Sequence, residues 1–424
     1  MINLQRKVLR LTLFFTLSVI YCFPALGSNI RTLIKFESID VMKEYKERYR
    51  DQISFKRLHK ELLWFYTSDI NDFTPEFTGI KAVEFDTKLL NRPIVLREEM
   101  THRKKPSIIW GVERIGAPEV WREGLDGEGV LVAVLDTGVN FNHPGIKQNM
   151  HINVSEYWGE QNVDDDGNGY IDDVYGYNFY NETADVMDEH DHGTHVAGII
   201  AADFAVEGVY GVAPKARILA VKTHDKSGIS SKLTVAEGIL YAVDEGVDII
   251  NCSWSGAPEA SIWSELLYDV ISYANQKKVL VVASAGNEGR YVDEIKSYPS
   301  GYEIENVVSV GGTNFLSDNL SAYSNYGTTN VHIAAPGTAI YSLDSKNGIT
   351  KMTGTSMAAP HVSGAAAVVI EYLRANRISY SAKDIKDILL RNAEITSGTE
   401  NKVSSGLLSL RFMTSKFSIE VEND

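Results

Sequence analysis

The chain has 424 residues, 44% of them hydrophobic, enough for one large core with appendages. Its formal net charge of −15 excludes a protein built to hold nucleic acid non-specifically, because the phosphate backbone would repel it. The only cysteines are Cys22 and Cys252, which excludes a scaffold held by disulfides.

In chain order, Arg6, Lys7 and Arg10 precede an apolar stretch from Leu11 to Phe23, and the small residues of Ala25-Leu26-Gly27 follow. Basic, apolar, then small is the order of a secretory signal peptide. Residues 1–27 are therefore expected to direct export and to be removed. The stretch is short for a membrane span, so no stable anchor is expected after cleavage. Thr32 to Phe36 is strand-like, Val41 to Leu63 is charged with apolar spacing and hence mostly helical, and Ile80 to Phe85 alternates like a strand. Residues 28–105 are read as a separate small α+β unit. It ends in a polar, basic linker, Glu98 to Ser107, with the boundary near Lys105.

Residues 106–424 carry the chemistry. Leu131 to Leu135 is an apolar run that stops at Asp136, followed by Thr137-Gly138. This predicts a buried strand with a carboxylate at its C-terminal edge, where open α/β sheets place their working groups. The segment from Asp164 to Asp173 is acidic. Asp164, Asp166 and Asn168 alternate as in the first half of an EF-hand loop, and Gly169 takes the sharp-turn position. Tyr170 can add its backbone carbonyl, and Asp172 or Asp173 can close the shell. Hard oxygens at this spacing suit Ca²⁺, although Tyr175 stands where a full EF-hand has glutamate. The plainer reading is a solvated acidic turn.

His190-Asp191-His192-Gly193-Thr194-His195 places imidazoles at the mouth of a helix. Further apolar runs at 218–222 and 279–283 alternate with helical stretches. The pattern predicts a doubly wound α/β domain, a mostly parallel sheet with helices on both faces. Gly354-Thr355-Ser356-Met357-Ala358-Ala359-Pro360-His361 then sets one serine among small residues at the start of a long apolar helix. Asp, His, Ser in chain order is one of the orders of a catalytic triad. Chemistry makes Ser356 the nucleophile, an imidazole its base and Asp136 the group that orients the base. His192 and His195 are three apart on one helix face, and spacing does not choose between them. His143 and His361 are read as structural.

With Ala283-Ser284-Ala285-Gly286-Asn287-Glu288-Gly289, these motifs resemble those of the subtilisin-like serine proteases, the subtilases, from about Trp110 to Leu410. The resemblance implies a subtilisin-like fold and assigns His192 as base and Asn287 as an oxyanion donor. It implies protein or peptide substrates bound as an added strand. Ser253-Trp254-Ser255-Gly256 would form one strip, and Asp225 to Ser230 with Gly228 the other. Ser284-Ala285-Gly286 would form the far wall of the primary pocket. Ser255 replaces a usual glycine, and Ile229-Ser230 replaces a small turn, so the preferred side chain stays open. The family's usual calcium site also departs, with His143-Pro144-Gly145 and Ala205 lacking its oxygens.

The N-terminal unit is similar to a subtilase propeptide, which would act as an intramolecular inhibitor. Together these imply an exported, self-processed, monomeric zymogen, secreted or periplasmic. Fold alone leaves open a non-catalytic secreted binding protein, or a zymogen whose only important cut is its own.

Overall fold

The computed structural model describes residues 31–49, 56–67, 80–86, 88–90, 107–206, 208–255 and 264–414. The signal-like segment, the linker from Glu98 to Pro106 and Gly256 lie outside them. The chain divides into two compact units, the first ending at Asp86 and the second beginning at Thr87.

The first unit holds β1 (Thr32–Phe36), α1 (Ile39–Tyr49), β2 (Lys56–Arg57), β3 (Trp64–Thr67) and β4 (Ile80–Phe85). They form an antiparallel sheet in the order β2-β3-β1-β4. The helix is shorter than expected, because Lys56 and Arg57 pair with Tyr66 and Phe65. The aromatic run Trp64-Phe65-Tyr66 favours a strand and draws that partner out of the helical pattern. Phe36 centres a small core, its ring 5.3 Å from Tyr45 and 5.5 Å from Phe65.

The second unit begins with a short strand, β5 (Lys88–Leu90). Its frame is a seven-stranded sheet of β6 (Leu131–Asp136), β7 (Gly176–Asn178), β8 (Arg217–Lys222), β10 (Ile249–Cys252), β11 (Leu280–Ser284), β12 (Val307–Thr313) and β13 (Ile333–Pro336). The order is β13-β12-β11-β10-β6-β8-β7, and every pairing is parallel. A parallel sheet is covered on both faces, so its strands are continuous apolar runs rather than alternating ones. Val132, Ala133, Val134, Ile249, Val281 and Val282 are all fully buried.

Two helix pairs cover this sheet, α3 (His192–Ala201) with α6 (Thr355–Ala375) and α4 (Lys232–Asp244) with α5 (Glu265–Gln276). Ser231 caps α4 by accepting from Thr234 N, and Ser264 caps α5 by accepting from Leu267 N. The carboxyl ends of β6, β10 and β11 are neighbours, which brings Asp136, Ser253 and Ser284 to one edge. Apart from the main sheet, β5 pairs antiparallel with β9 (Ile229–Ser231), Leu89 opposite Ser230.

Candidate active site

Asp136 ends β6 and is fully buried. Its Oδ1 accepts from Thr137 N at 2.8 Å and from His192 Nδ1 at 2.7 Å. Burial pushes the Asp136 carboxyl up, but the facing His192 outweighs it and holds the group below its ordinary value. His192 is the mirror case: burial pushes it down, and Asp136 raises it above its ordinary value. The two directions agree, and describe a pair that stabilises an imidazolium. His192 Nε2 is buried with no hydrogen-bond partner among the described residues, so it is the nitrogen left for a hydroxyl.

Position matters as much as charge here. His192 opens α3, and Gly193 lets that helix start pass against the turn after β6. A Cβ on Gly193 would lie 2.0 Å from the Gly138 carbonyl oxygen. Asp188 ties the pieces together, accepting from Thr137 Oγ1 at 2.9 Å and from Thr194 Oγ1 at 2.7 Å. Thr137 Oγ1 accepts in turn from Gly193 N at 3.0 Å. The structure separates the two histidines that spacing left equivalent. His195 bonds the Ile340 carbonyl through Nε2 at 3.1 Å, and burial pushes it down to about 3. It is a neutral core residue. His143 and His361 likewise bond backbone, at Gly348 O and Met357 O.

Ser356 is the second residue of α6 and almost fully buried. Its carbonyl accepts from Ser253 Oγ at 2.9 Å. Ser253 Oγ accepts from Asn251 Nδ2 at 2.9 Å, and Asn251 Oδ1 accepts from Ser363 Oγ at 2.8 Å. This relay fixes the nucleophile's backbone to β10. Asn287 Oδ1 accepts from Thr355 N at 2.8 Å and Thr355 Oγ1 at 2.9 Å. With its oxygen so engaged, the Asn287 amide presents Nδ2 beside Gly354.

The strips proposed for substrate are brought to the same edge. Gly286 has φ +103°, and a Cβ there would lie 2.4 Å from Asn325 Nδ2, 2.8 Å from Glu288 Oε2 and 3.3 Å from Ser255 Oγ. Ser255 and Gly286 are therefore close, with the side chains of Asn325 and Glu288 beside them. Gly228 sits at φ +72° in a turn closed by Asp225 N to Ile229 O at 2.9 Å. Trp254 is 2% exposed, and its Nε1 donates to Leu135 O at 3.1 Å. In this structure it braces the strip from beneath.

The acidic segment folds around a residue outside it. Glu156, in α2 (Val154–Trp158), accepts from Asp165 N at 2.7 Å and Asp172 N at 2.9 Å. Carboxylate oxygens of Glu156, Asp166 and Asp173 all lie within 4.8 Å of one another. Burial raises the Asp173 carboxyl, while Tyr241 Oη donates to it at 2.7 Å. Glu245 is pushed up to about 7 by burial and then by Asp173. Asn168 Nδ2 lies 3.1 Å from Asp173 Oδ2. Asp164 instead accepts from Gly167 N and Gly169 N, and Asp172 from Asn162 N. Tyr170 N donates to Asn168 Oδ1 at 2.8 Å.

A family model described as the subtilase family matches residues 127–410. The chain belongs to the subtilase family. By class it is a serine endopeptidase. Thermitase from Thermoactinomyces vulgaris is 34% identical, over 68% of this chain and 90% of that protein. Subtilisin Savinase from Lederbergia lenta is 36% identical, over 73% and 99%. Subtilisin-like protease 1 from Plasmodium berghei is 28% identical over 87% of this chain, which spans 61% of that longer protein. A crystal structure of a cold-adapted subtilisin-like serine proteinase superposes with a TM-score of 0.57 at 29% identity, covering 72% of this chain and 98% of that one.

In this subtilase, sequence reasoning missed three residues near the two sites. Asp188 was hidden because an aspartate two before His190 carries no motif of its own. Glu156 lies eight residues before Asp164, outside the alternating pattern. His224 stands one residue before the Asp225 to Ser230 strip and carries no motif of its own.

Proposed function

We propose that this subtilase cleaves peptide bonds through Ser356, His192 and Asp136. The observation that carries the reading is the 2.7 Å bond from His192 Nδ1 to Asp136, with the opposite ring nitrogen unpartnered at the sheet edge that holds Ser356. Ser356 Oγ attacks the carbonyl carbon while His192 Nε2 takes its proton. Asn287 Nδ2 donates to the oxyanion as it develops. Collapse expels the amine, which receives the proton back from His192. Water then hydrolyses the acyl-enzyme by the same route, and Asp136 holds the imidazole tautomer throughout.

The protein is made, in this reading, as an exported zymogen. The separate N-terminal sheet unit and the pairing of Lys88–Leu90 with Ile229–Ser231 both support it. Adding a strand to that edge is how an extended peptide would bind. The test is intact mass and N-terminal sequence of the exported protein, wild type beside Ser356→Ala. A shortened wild type with an unprocessed Ser356→Ala chain is expected. Equal processing of both would remove the self-cleavage.

Calcium completes the proposal. Glu156, Asp166 and Asp173 offer hard oxygens, and the Glu245 carboxyl is raised first by burial and then by Asp173. A bound cation would supply the positive charge this cluster lacks and hold the loop to β7 and α4.

A further inference from the structure

His224 is fully buried beside the catalytic pair and has no part in the steps above. It follows β8, and its backbone N donates to the Asp136 carbonyl at 3.1 Å, as Thr223 N does at 2.9 Å. Thr223 Oγ1 lies 3.0 Å from its Nδ1. Its ring sits 5.6 Å from that of Trp254, which is itself bonded to Leu135, the residue before Asp136. Two polar atoms here have no partner among the described residues: His224 Nε2 and Asp136 Oδ2. Leaving two such groups unmade in a buried site costs more than a hydrogen bond is ordinarily worth, so their presence together calls for a role.

We propose that His224 is a positioning residue for the catalytic pair, its neutral imidazole lying against Asp136 and setting how strongly that carboxylate holds His192. The inference rests on Asp136 and His192 being the working pair. In the proposed arrangement the Thr223 hydroxyl donates to Nδ1 and the ring proton sits on Nε2, the nitrogen without a partner among the described residues. The N–H dipole then offsets part of the Asp136 field. The ionisable groups around His224 are Asp136 at the end of β6, His192 at the start of α3 and Asp225 next in the chain. Asp225 is turned into its own loop, accepting from Ser227 N and Ile229 N, both at 2.8 Å. Burial pushes His224 down to about 4, so it stays neutral where His192 titrates. The Trp254 contact also ties the substrate strip to the same aspartate.

Removing the dipole concentrates the Asp136 charge on His192, and the imidazolium is held more tightly. In His224→Leu the acid limb of kcat/KM should move to higher pH, by on the order of 0.5 unit, with kcat rather than KM carrying the loss. His224→Gln keeps a neutral donor and should restore most of the wild-type profile. The same titration is read directly from the low-field Nδ1 proton of His192 by NMR, whether or not a given peptide is cut. His224→Met supplies an apolar variant of adaptable shape should the leucine chain not fold. An upward shift in an apolar variant, reversed in His224→Gln, supports the role. Folded apolar variants with an unmoved His192 titration overturn it. A wild type that cleaves no peptide overturns the proposed function instead, and leaves the NMR result to decide His224.

Discussion

Asn287 shows how much a single side chain can be asked to do. Its oxygen is committed to Thr355, so its Nδ2 is oriented before any substrate arrives. Preorganised donors act on charge that develops only in the transition state. Asn287→Ala should therefore lower kcat by ~100 to 1000-fold while KM changes little. A proportional rise in KM with unchanged kcat would reassign Asn287 to ground-state binding. Asp136→Asn should cost about 10⁴ in kcat, because the amide stabilises the wrong tautomer of His192. Asp136, Asn287 and Ser356 were legible in the sequence because each sits in a short motif where strand meets turn or turn meets helix. Asp188 and His224 were not, because their meaning lies in partners such as Thr137, Thr194 and Trp254 that only folding brings near.

Among the elements, the alternation of buried runs at 131–135, 218–222 and 279–283 made the parallel sheet readable. The helix expected to Leu63 failed because tertiary pairing with Phe65 and Tyr66 overrode a helical pattern. The acidic segment was read as one continuous loop, whereas its central carboxylate comes from α2. Glu156 therefore offers the sharper test of the cation. Calcium that binds only the folded state stabilises by about 2.7 kcal/mol at a hundred times its Kd. Wild-type melting temperature should fall on chelation with EDTA. Glu156→Gln should melt lower and lose most of that response. An equal EDTA shift in both would place the ion elsewhere, and no shift in either would remove it.

For the whole molecule, acid is the condition to watch. Burial pushes His195 and His332 to about 3 and His224 and His361 to about 4. Each would titrate near 6.5 in the unfolded chain. As pH falls below 6.5 the unfolded state takes up protons that the folded state refuses, so stability drops until the folded values are reached. His192 opposes this, since its raised value adds stability that is fully present below 6.5. Burial lowers His151 as well, so it is five against one, and the net is a loss on the order of 10 kcal/mol between pH 6.5 and 4. Melting of Ser356→Ala, which cannot digest itself in the proposed mechanism, should shift steadily downward over that range. A flat profile would mean that these rings are protonated in the fold.

The pairing of Lys88–Leu90 with Ile229–Ser231 has a kinetic side. The two strands belong to one polypeptide, so their meeting is unimolecular, and diluting the protein does not loosen it. Tethered partners meet at effective concentrations of order millimolar. A diffusing peptide must displace that occupant to reach the edge. Once the connection is cut, the same strand counts only at its concentration in bulk. If the connection is cut as proposed, concentration, irrelevant to the occupied edge before the cut, becomes decisive after it, and dilution itself would act as the release signal.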